Sequence, residues 1–465
     1  MRESLEAIFY PRSVAIVGAS NNRRRWGYGT VRNMLDAGYR NKLYPINPKE
    51  KEIQGIPCYP SISDVPDEID LAVIVVNAAM VPEIIEECIE NEVKGGVVIT
   101  AGFAEISEEG AKLQRQIAED AVEAGFYFVG PNCWGIWSAD ANVNTLFWAL
   151  PPKGPISFIS QSGSLGEYLY NVTQRRGYGV NKFVSCGNQA ALTFNDFLEY
   201  LADDEATRVV IGYAEDIGDG RRFMEVARKV VEKKPFLIYK AGTTQAAARA
   251  AASHTAAMVG NDEIFNAACR QAGVIRWYDF MEMFDMAEAL CYQPLPKGNR
   301  VAIISSQGGF CVTAAEAISS MEMELPEMTA SAQQELRGHM REFAPPPVNP
   351  IDCIARKSNE SYVDIAEIVA KQDYVDALIM TPHVGHFHRN MEPEDMLRRI
   401  KMAQALAAIP EKYGKPLICA NEHELAGPTY EIFKSKHVPF FDDPMDCAKS
   451  MHALVRYAKI TRKMR

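Results

Sequence analysis

Short apolar runs alternate with longer stretches of helical period along almost the whole chain. SVAIVGAS, LAVIVV, GGVVITAGF and FYFVG fall at intervals that leave room for one crossover helix between each pair. That rhythm predicts a parallel, doubly wound sheet. It restarts with PISFISQSG, VNKFVSCGN, RVVIGYAED and PFLIYKAG, and restarts again with RVAIISSQGG, ALIMTPHV and PLICANE. Between the units lie WALPPKGP and CYQPLPKGN, rich in proline and glycine and without helical periodicity, as expected of boundaries. Three α/β domains are expected, over 1–149, 150–295 and 296–465.

Composition narrows the function classes. A chain of 465 residues, 47% hydrophobic and 23% charged, is of ordinary globular make-up and too long for one core. The formal net charge of -11 argues against a general nucleic-acid binder, though not against a local basic pocket for an anion. No apolar run is long enough to cross a bilayer, and MRESLEAIFYPRSVAIVGAS carries no signal-peptide core, so a cytoplasmic protein is expected. The ten cysteines include no CxxC pair and read as reduced thiols, mostly in cores.

Three stretches carry chemistry. In VAIVGASNNRRRWGYG a strand ends at Gly18 just before a predicted helix, a turn suited to nucleotide phosphates because free amides and the helix dipole both favour an anion. It is not a GxGxxG. The second strand ends in Asn47, Pro48 and Lys49, without the acidic residue that reads an unphosphorylated ribose, so coenzyme A or NADP fits better than NAD. The second unit opens with FISQSGSLGEYL, where Ser160, Gln161, Ser162, Gly163 and Ser164 form a strand-to-helix anion nest. A serine nucleophile and an ordinary capped helix are the competing readings; Gly163-Ser164-Leu165-Gly166 is one residue too short for GxSxG. Finally, VVIGYAEDIGDG places Glu215 and Asp216 at the carboxyl end of a strand. A carboxylate there can cap a helix, or orient one nitrogen of the lone histidine in AAASHTAAMVG, His254, and leave the other as a nucleophile.

GASNNRRRWGYG, PINPKEKEIQG, ITAGFAE, GPNCWGI, ISQSGSLG, SCGNQA, FNDFLEYLADD, KAGTTQAAARAAASHTAAMVG and RQAGVIR together resemble the alpha subunit of the nucleoside-diphosphate-forming acyl-CoA synthetases, of the succinyl-CoA synthetase superfamily. The resemblance runs through essentially the whole chain in one order. It implies a Rossmann-like coenzyme A domain followed by two flavodoxin-like ligase domains. It also implies a reversible reaction in which acyl-CoA and phosphate give acyl phosphate and coenzyme A, a histidine takes the phosphoryl group, and phosphohistidine phosphorylates ADP. By position His254 matches the phosphorylated histidine, Glu215 the carboxylate that steadies it, and Ser160 to Ser164 the phosphate loop. Gly18, Ser20, Lys49, Asn77, Thr100 and Asn132 lie in segments resembling those that line the coenzyme A site.

The family has an ATP-grasp half that binds ADP or ATP with Mg2+, and neither that half nor a Walker A sequence is found here. The resemblance therefore implies a beta subunit as partner, in an alpha2beta2 heterotetramer, and a carboxylic acid as substrate. The sequence departs from the family in having Ala256 and Ala257 after Thr255, where a glycine and a small polar residue are common, and Ala191 where an aspartate is common. Those departures motivate a second reading, a coenzyme A-binding regulatory protein that has lost turnover; an NADP-dependent oxidoreductase is motivated by the first domain alone. Phe147 and Trp148 can line an acyl pocket or pack in a core. His383, His386 and His388 lack a fourth ligand at suitable spacing, and no metal site is expected.

Overall fold

Ser13–Val17, buried throughout and apolar from Val14 on, is the pivot of a five-stranded sheet in the order Lys42–Ile46, Ser13–Val17, Leu71–Ile74, Gly95–Val98, Tyr127–Val129. Every pairing is parallel. The second and third strands in sequence flank the first on opposite sides, so the connections diverge at its carboxyl end and open a crevice there. Val14, Ala15 and Ile16 are fully buried, as strands covered on both faces by helices must be.

The computed structural model describes residues 1–146, 149–244, 261–382, 392–420 and 427–464. It divides into two compact units, Met1–Phe280 and Met281–Arg465. The first unit contains a second sheet, of seven strands, ordered Ile275–Arg276, Phe236–Lys240, Val209–Ala214, Lys153–Ser160, Val180–Ser185, Ile136–Ser138, Val143–Asn144. Its switch point lies at the end of Lys153–Ser160, which is flanked by Val180–Ser185 and Val209–Ala214. The last two strands are antiparallel additions. They precede the expected break at residue 149 yet pair with the sheet that follows it, and the fully buried Trp137 is seated there with its indole N–H directed to the Val180 carbonyl at 3.4 Å.

The amino-terminal helix Arg2–Phe9 ties the two sheets of this unit together. Phe9 stacks on Tyr200 at 5.1 Å, and the Tyr10 hydroxyl accepts from Lys182, whose buried ammonium is paired with Asp204 at 2.9 Å. Truncating either partner of such a pair strands a charge, which makes it a strong constraint on geometry whatever its net contribution to stability.

The second unit holds a five-stranded parallel sheet in the order Ile351–Asp352, Val301–Ser305, Ala377–Met380, Leu417–Ala420, Phe440–Phe441. Helix Glu282–Tyr292 belongs to this unit, packed on Pro444–Met464 with a Lys449–Glu282 ion pair between them. No helix among the described residues is long and apolar enough to cross a membrane.

Candidate functional site

At the first switch point the backbone turns at Gly18, with φ of +90°. A side chain there is excluded twice over, by the left-handed conformation and by the Val75 carbonyl oxygen, which a Cβ would approach to 2.3 Å. Helix Trp26–Asp36 begins hard against this turn: a Cβ on Gly27 would lie 2.0 Å from the Gly18 carbonyl oxygen. The helix has no side-chain cap; the Tyr28 amide is taken by the Arg25 carbonyl at 3.1 Å, which leaves the amides of Trp26 and Gly27 for a ligand. Asn47 braces the turn from the second strand, donating to the Ala19 carbonyl at 2.8 Å while its own oxygen accepts from the Lys49 amide at 2.9 Å. Thr100 donates to the Val76 carbonyl at 2.9 Å, and Asn132, in a left-handed conformation, donates its amide to the Thr100 carbonyl at 2.9 Å.

These elements open on one cleft of about 1350 Å³, beyond the roughly 300–1,000 Å³ of sites for drug-sized molecules, as a long ligand requires. Gly18, Lys49, Asn77, Thr100 and Asn132 line it, and so do Gln161, Ser162, Gly163 and Ser164 from the second sheet. The structure thus brings the Gly18 turn and the Gln161–Ser164 turn, the expected anion nest, into one continuous space although they lie more than a hundred residues apart. Ser20 and Ser160 do not line the cleft; they build its turns. Ser20 accepts from the Asn22 amide at 3.1 Å, and fully buried Ser160 bridges to residue 162, donating to its carbonyl at 2.7 Å and accepting from its amide at 3.2 Å. Ser162 and Ser164 share a side-chain hydrogen bond of 3.2 Å at the start of helix Leu165–Arg176, and the N-cap Ser164 hydroxyl accepts no bond from the helix amides.

Glu215 is buried just behind the nest. Its amide donates to the Gln161 side chain and its carbonyl accepts from Lys240 at 2.6 Å. Burial pushes the Lys240 ammonium down from its ordinary value, opposed by Asp216, Asp262 and Glu215. On the far side of Lys240 a second cavity of about 480 Å³ is lined by Asp216, Lys240, Gly242, Thr243 and Asn261. His254 lies outside the described residues, as do Ala256, Ala257, Phe147, Trp148 and the histidines at 383, 386 and 388. Ala191 is packed, half-buried, against the core of the first sheet. Among the described residues no cluster of three or more His, Cys, Asp or Glu side chains is placed to hold a metal ion.

Several lining residues escaped the sequence reading. Arg24, Arg25 and the exposed Trp26 rim the cleft beside the Gly18 turn; the RRRW run at a helix start was their only signal. Trp134 and Asn188 line it near the nest, Trp134 with its indole nitrogen buried and unpartnered. Asn188 is set by long-range bonds, donating to Glu105 at 2.7 Å and Gln114 at 2.8 Å and accepting from Asn132 at 3.2 Å. Burial works to raise the Glu105 carboxyl, but donors from the Gly102 amide and Asn188 outweigh it and hold the group below its usual value.

Residues 12–139 match the family model described as a CoA binding domain, and residues 153–290 that of the succinyl-CoA ligase like flavodoxin domain. The chain is 38% identical to the alpha subunit of ADP-forming acetate–CoA ligase II of Pyrococcus furiosus, over 98% of each chain. The chain belongs to the alpha subunits of the ADP-forming acyl-CoA synthetases. It is also 36% identical to the ADP-forming acetate–CoA ligase I of Archaeoglobus fulgidus, of which it spans 65%. Among solved structures it is similar to the dinucleotide-forming acetyl-coenzyme A synthetase 1 of Ca. Korarchaeum cryptofilum in complex with phosphate and ADP, with a TM-score of 0.87, 31% identity and 99% of both chains covered. The fold is accordingly that of the superfamily, an amino-terminal Rossmann-like domain followed by flavodoxin-like parallel-sheet domains.

Proposed function

We propose that this chain is the coenzyme A- and phosphate-handling subunit of an ADP-forming carboxylate–CoA ligase. The observation that carries the reading is the single cleft that joins the Gly18 turn to the Ser162–Ser164 nest. An acyl-CoA laid along it has its nucleotide end at the Gly18 turn, near Lys49, and its thioester at the nest. Phosphate held at the Ser162–Ser164 turn, just before helix Leu165–Arg176, attacks the thioester carbonyl; the C–S bond breaks, coenzyme A leaves as the thiolate, and an acyl phosphate forms. A neutral His254 nitrogen then attacks phosphorus, and the carboxylate leaves with the electron pair of the broken P–O bond. Glu215 accepts from the other ring nitrogen and offsets the charge of the phosphorylated imidazole. ADP, bound with Mg2+ on an ATP-grasp beta subunit in an alpha2beta2 assembly, takes the phosphoryl group from His254.

On this reading residues 1–149 hold coenzyme A, 150–295 carry the phosphate nest and His254, 296–465 form a second ligase domain, and the enzyme works in the cytoplasm. The test is to incubate the chain with acetyl-CoA and labelled phosphate. An acid-labile, base-stable label that mass spectrometry places on His254, lost in His254→Asn and reduced in Glu215→Gln with coenzyme A binding intact, is the expected result. Normal turnover in the presence of the partner with no label at position 254 overturns it. Coenzyme A binding with no turnover at all leaves the regulatory reading in its place.

A further inference from the structure

Gln161 is the second residue of the nest sequence Ser160–Ser164, and its side chain is turned away from the role that position suggests. The carboxamide oxygen accepts from the Glu215 amide and, at 2.8 Å, from the Asp216 amide, while its nitrogen donates to the Asp216 carbonyl. The Gln161 main-chain amide is used as well, donating to the Tyr213 carbonyl at 3.2 Å.

The reason lies in where two parallel strands part. Ser160 is the last residue of its strand paired with Val209–Ala214, in register with Tyr213. Beyond that point one chain bends toward helix Leu165–Arg176 while the other runs on through Glu215, so backbone pairing has to stop. The Gln161 side chain extends the ladder across buried Glu215 and half-buried Asp216, satisfying main-chain groups that the departing strand can no longer reach. From the other neighbouring strand, Lys240 donates to the Glu215 carbonyl at 2.6 Å. Both main-chain polar groups of Glu215 are therefore held by side chains, one from each flanking strand. Only a side chain of this length with both an acceptor and a donor makes all three Gln161 bonds.

We propose that Gln161 is a positioning residue that locks the backbone carrying Glu215 to the anion nest, so that phosphate at Ser162–Ser164 and the Glu215 carboxylate keep one fixed relation. The proposal rests on the reading of Glu215 as the partner of phosphorylated His254. It places Gln161 outside the set of groups that bind phosphate through their side chains.

Two variants of the full chain test it. Gln161→Met keeps length and apolar volume but removes all three side-chain bonds. The rate of His254 labelling from acetyl-CoA and labelled phosphate is expected to fall about tenfold or more, while half-saturation by phosphate and affinity for coenzyme A change by less than about threefold. Gln161→Glu keeps the acceptor and, when ionised, lacks the donor and faces the Asp216 carbonyl with a negative charge; protonated, it supplies both. The charged groups around the clasp are Glu215, Asp216 and Lys240, with Asp262 and Arg276 acting on Lys240 in turn. The labelling rate of Gln161→Glu divided by that of the wild type at the same pH should rise as pH falls from about 7 to about 4, through the ordinary glutamate titration at about 4.3.

Hydrogen exchange at the amides of Glu215 and Asp216 gives a readout independent of turnover: slow in the wild type, faster in Gln161→Met. Unchanged exchange in Gln161→Met, a loss confined to phosphate half-saturation, or a ratio flat with pH overturns the proposal. A wild type that turns over without label on His254 removes the catalytic reading, while the exchange experiment still decides whether the clasp exists.

Discussion

Gly27→Ala is a substitution that helix propensity favours and the site geometry forbids. Alanine in a helix gains about 1 kcal/mol over glycine, and Gly27 lies inside Trp26–Asp36 with an ordinary helical backbone. The added methyl, however, meets the Gly18 carbonyl oxygen at 2.0 Å and its carbon at 2.8 Å, against backbone that has no rotamer to change. Reaching the 3.4 Å of ordinary contact needs a retreat of about 1.4 Å between the helix start and the turn that together face the cleft. Overpacking of this kind costs about 1–3 kcal/mol, which cancels or outweighs the propensity gain.

Gly29→Ala is the internal control, because a Cβ there meets nothing within 4 Å. It should raise the melting temperature and leave coenzyme A binding unchanged. Gly27→Ala should melt below Gly29→Ala, by about 1–3 kcal/mol in unfolding free energy, and bind coenzyme A about ten- to a hundredfold more weakly as amide contacts to phosphate are lost. Denaturant unfolding and calorimetric titration read the two quantities separately. If Gly27→Ala matches Gly29→Ala in stability and retains wild-type affinity, the close approach of the helix to the Gly18 turn is not what shapes this end of the cleft.

Two further outcomes follow from charge. Lys49, exposed on the rim and lining the cleft, is expected to read the 3'-phosphate: Lys49→Gln should weaken coenzyme A about five- to tenfold at low salt and leave dephospho-coenzyme A untouched. Equal losses for the two ligands in calorimetry would move the 3'-phosphate elsewhere. In the second unit, burial and then the neighbouring Asp285 push the Glu288 carboxyl up to about 7, and its Oε2 is buried without a hydrogen-bond partner. The folded state therefore favours the protonated acid, and the stability it contributes is full below the ordinary value of 4.5 and is lost as pH rises through about 7. Glu288→Gln should be close to neutral near pH 4.5 and stabilising by up to about 3 kcal/mol near pH 8, in urea unfolding; a difference that does not grow with pH refutes this assignment.

Much of this molecule is decided within short windows of sequence. Continuous apolar runs such as SVAIV and VVIGYA, spaced by helical segments, belong to strands buried on both faces, and the parallel sheets follow from the crossover lengths between them. The Gly18 turn and the QSGSLG turn were equally legible, because free amides and small residues at a strand-to-helix junction are properties of a few consecutive residues. The antiparallel strands Ile136–Ser138 and Val143–Asn144 were not, since they are two or three residues long and take their place from the edge of a sheet that the chain has yet to form.

Side-chain commitments at long range were decided by tertiary structure alone. Asn188 reaches Glu105 and Gln114 across more than seventy residues, and Gln161 reaches Glu215 and Asp216 across more than fifty. Local pattern marked Gln161 as a member of an anion nest, but the gap left where two strands diverge took up its carboxamide instead. A buried backbone amide needs a partner whatever its sequence distance, and only the packed fold determines which side chain is near enough to supply it.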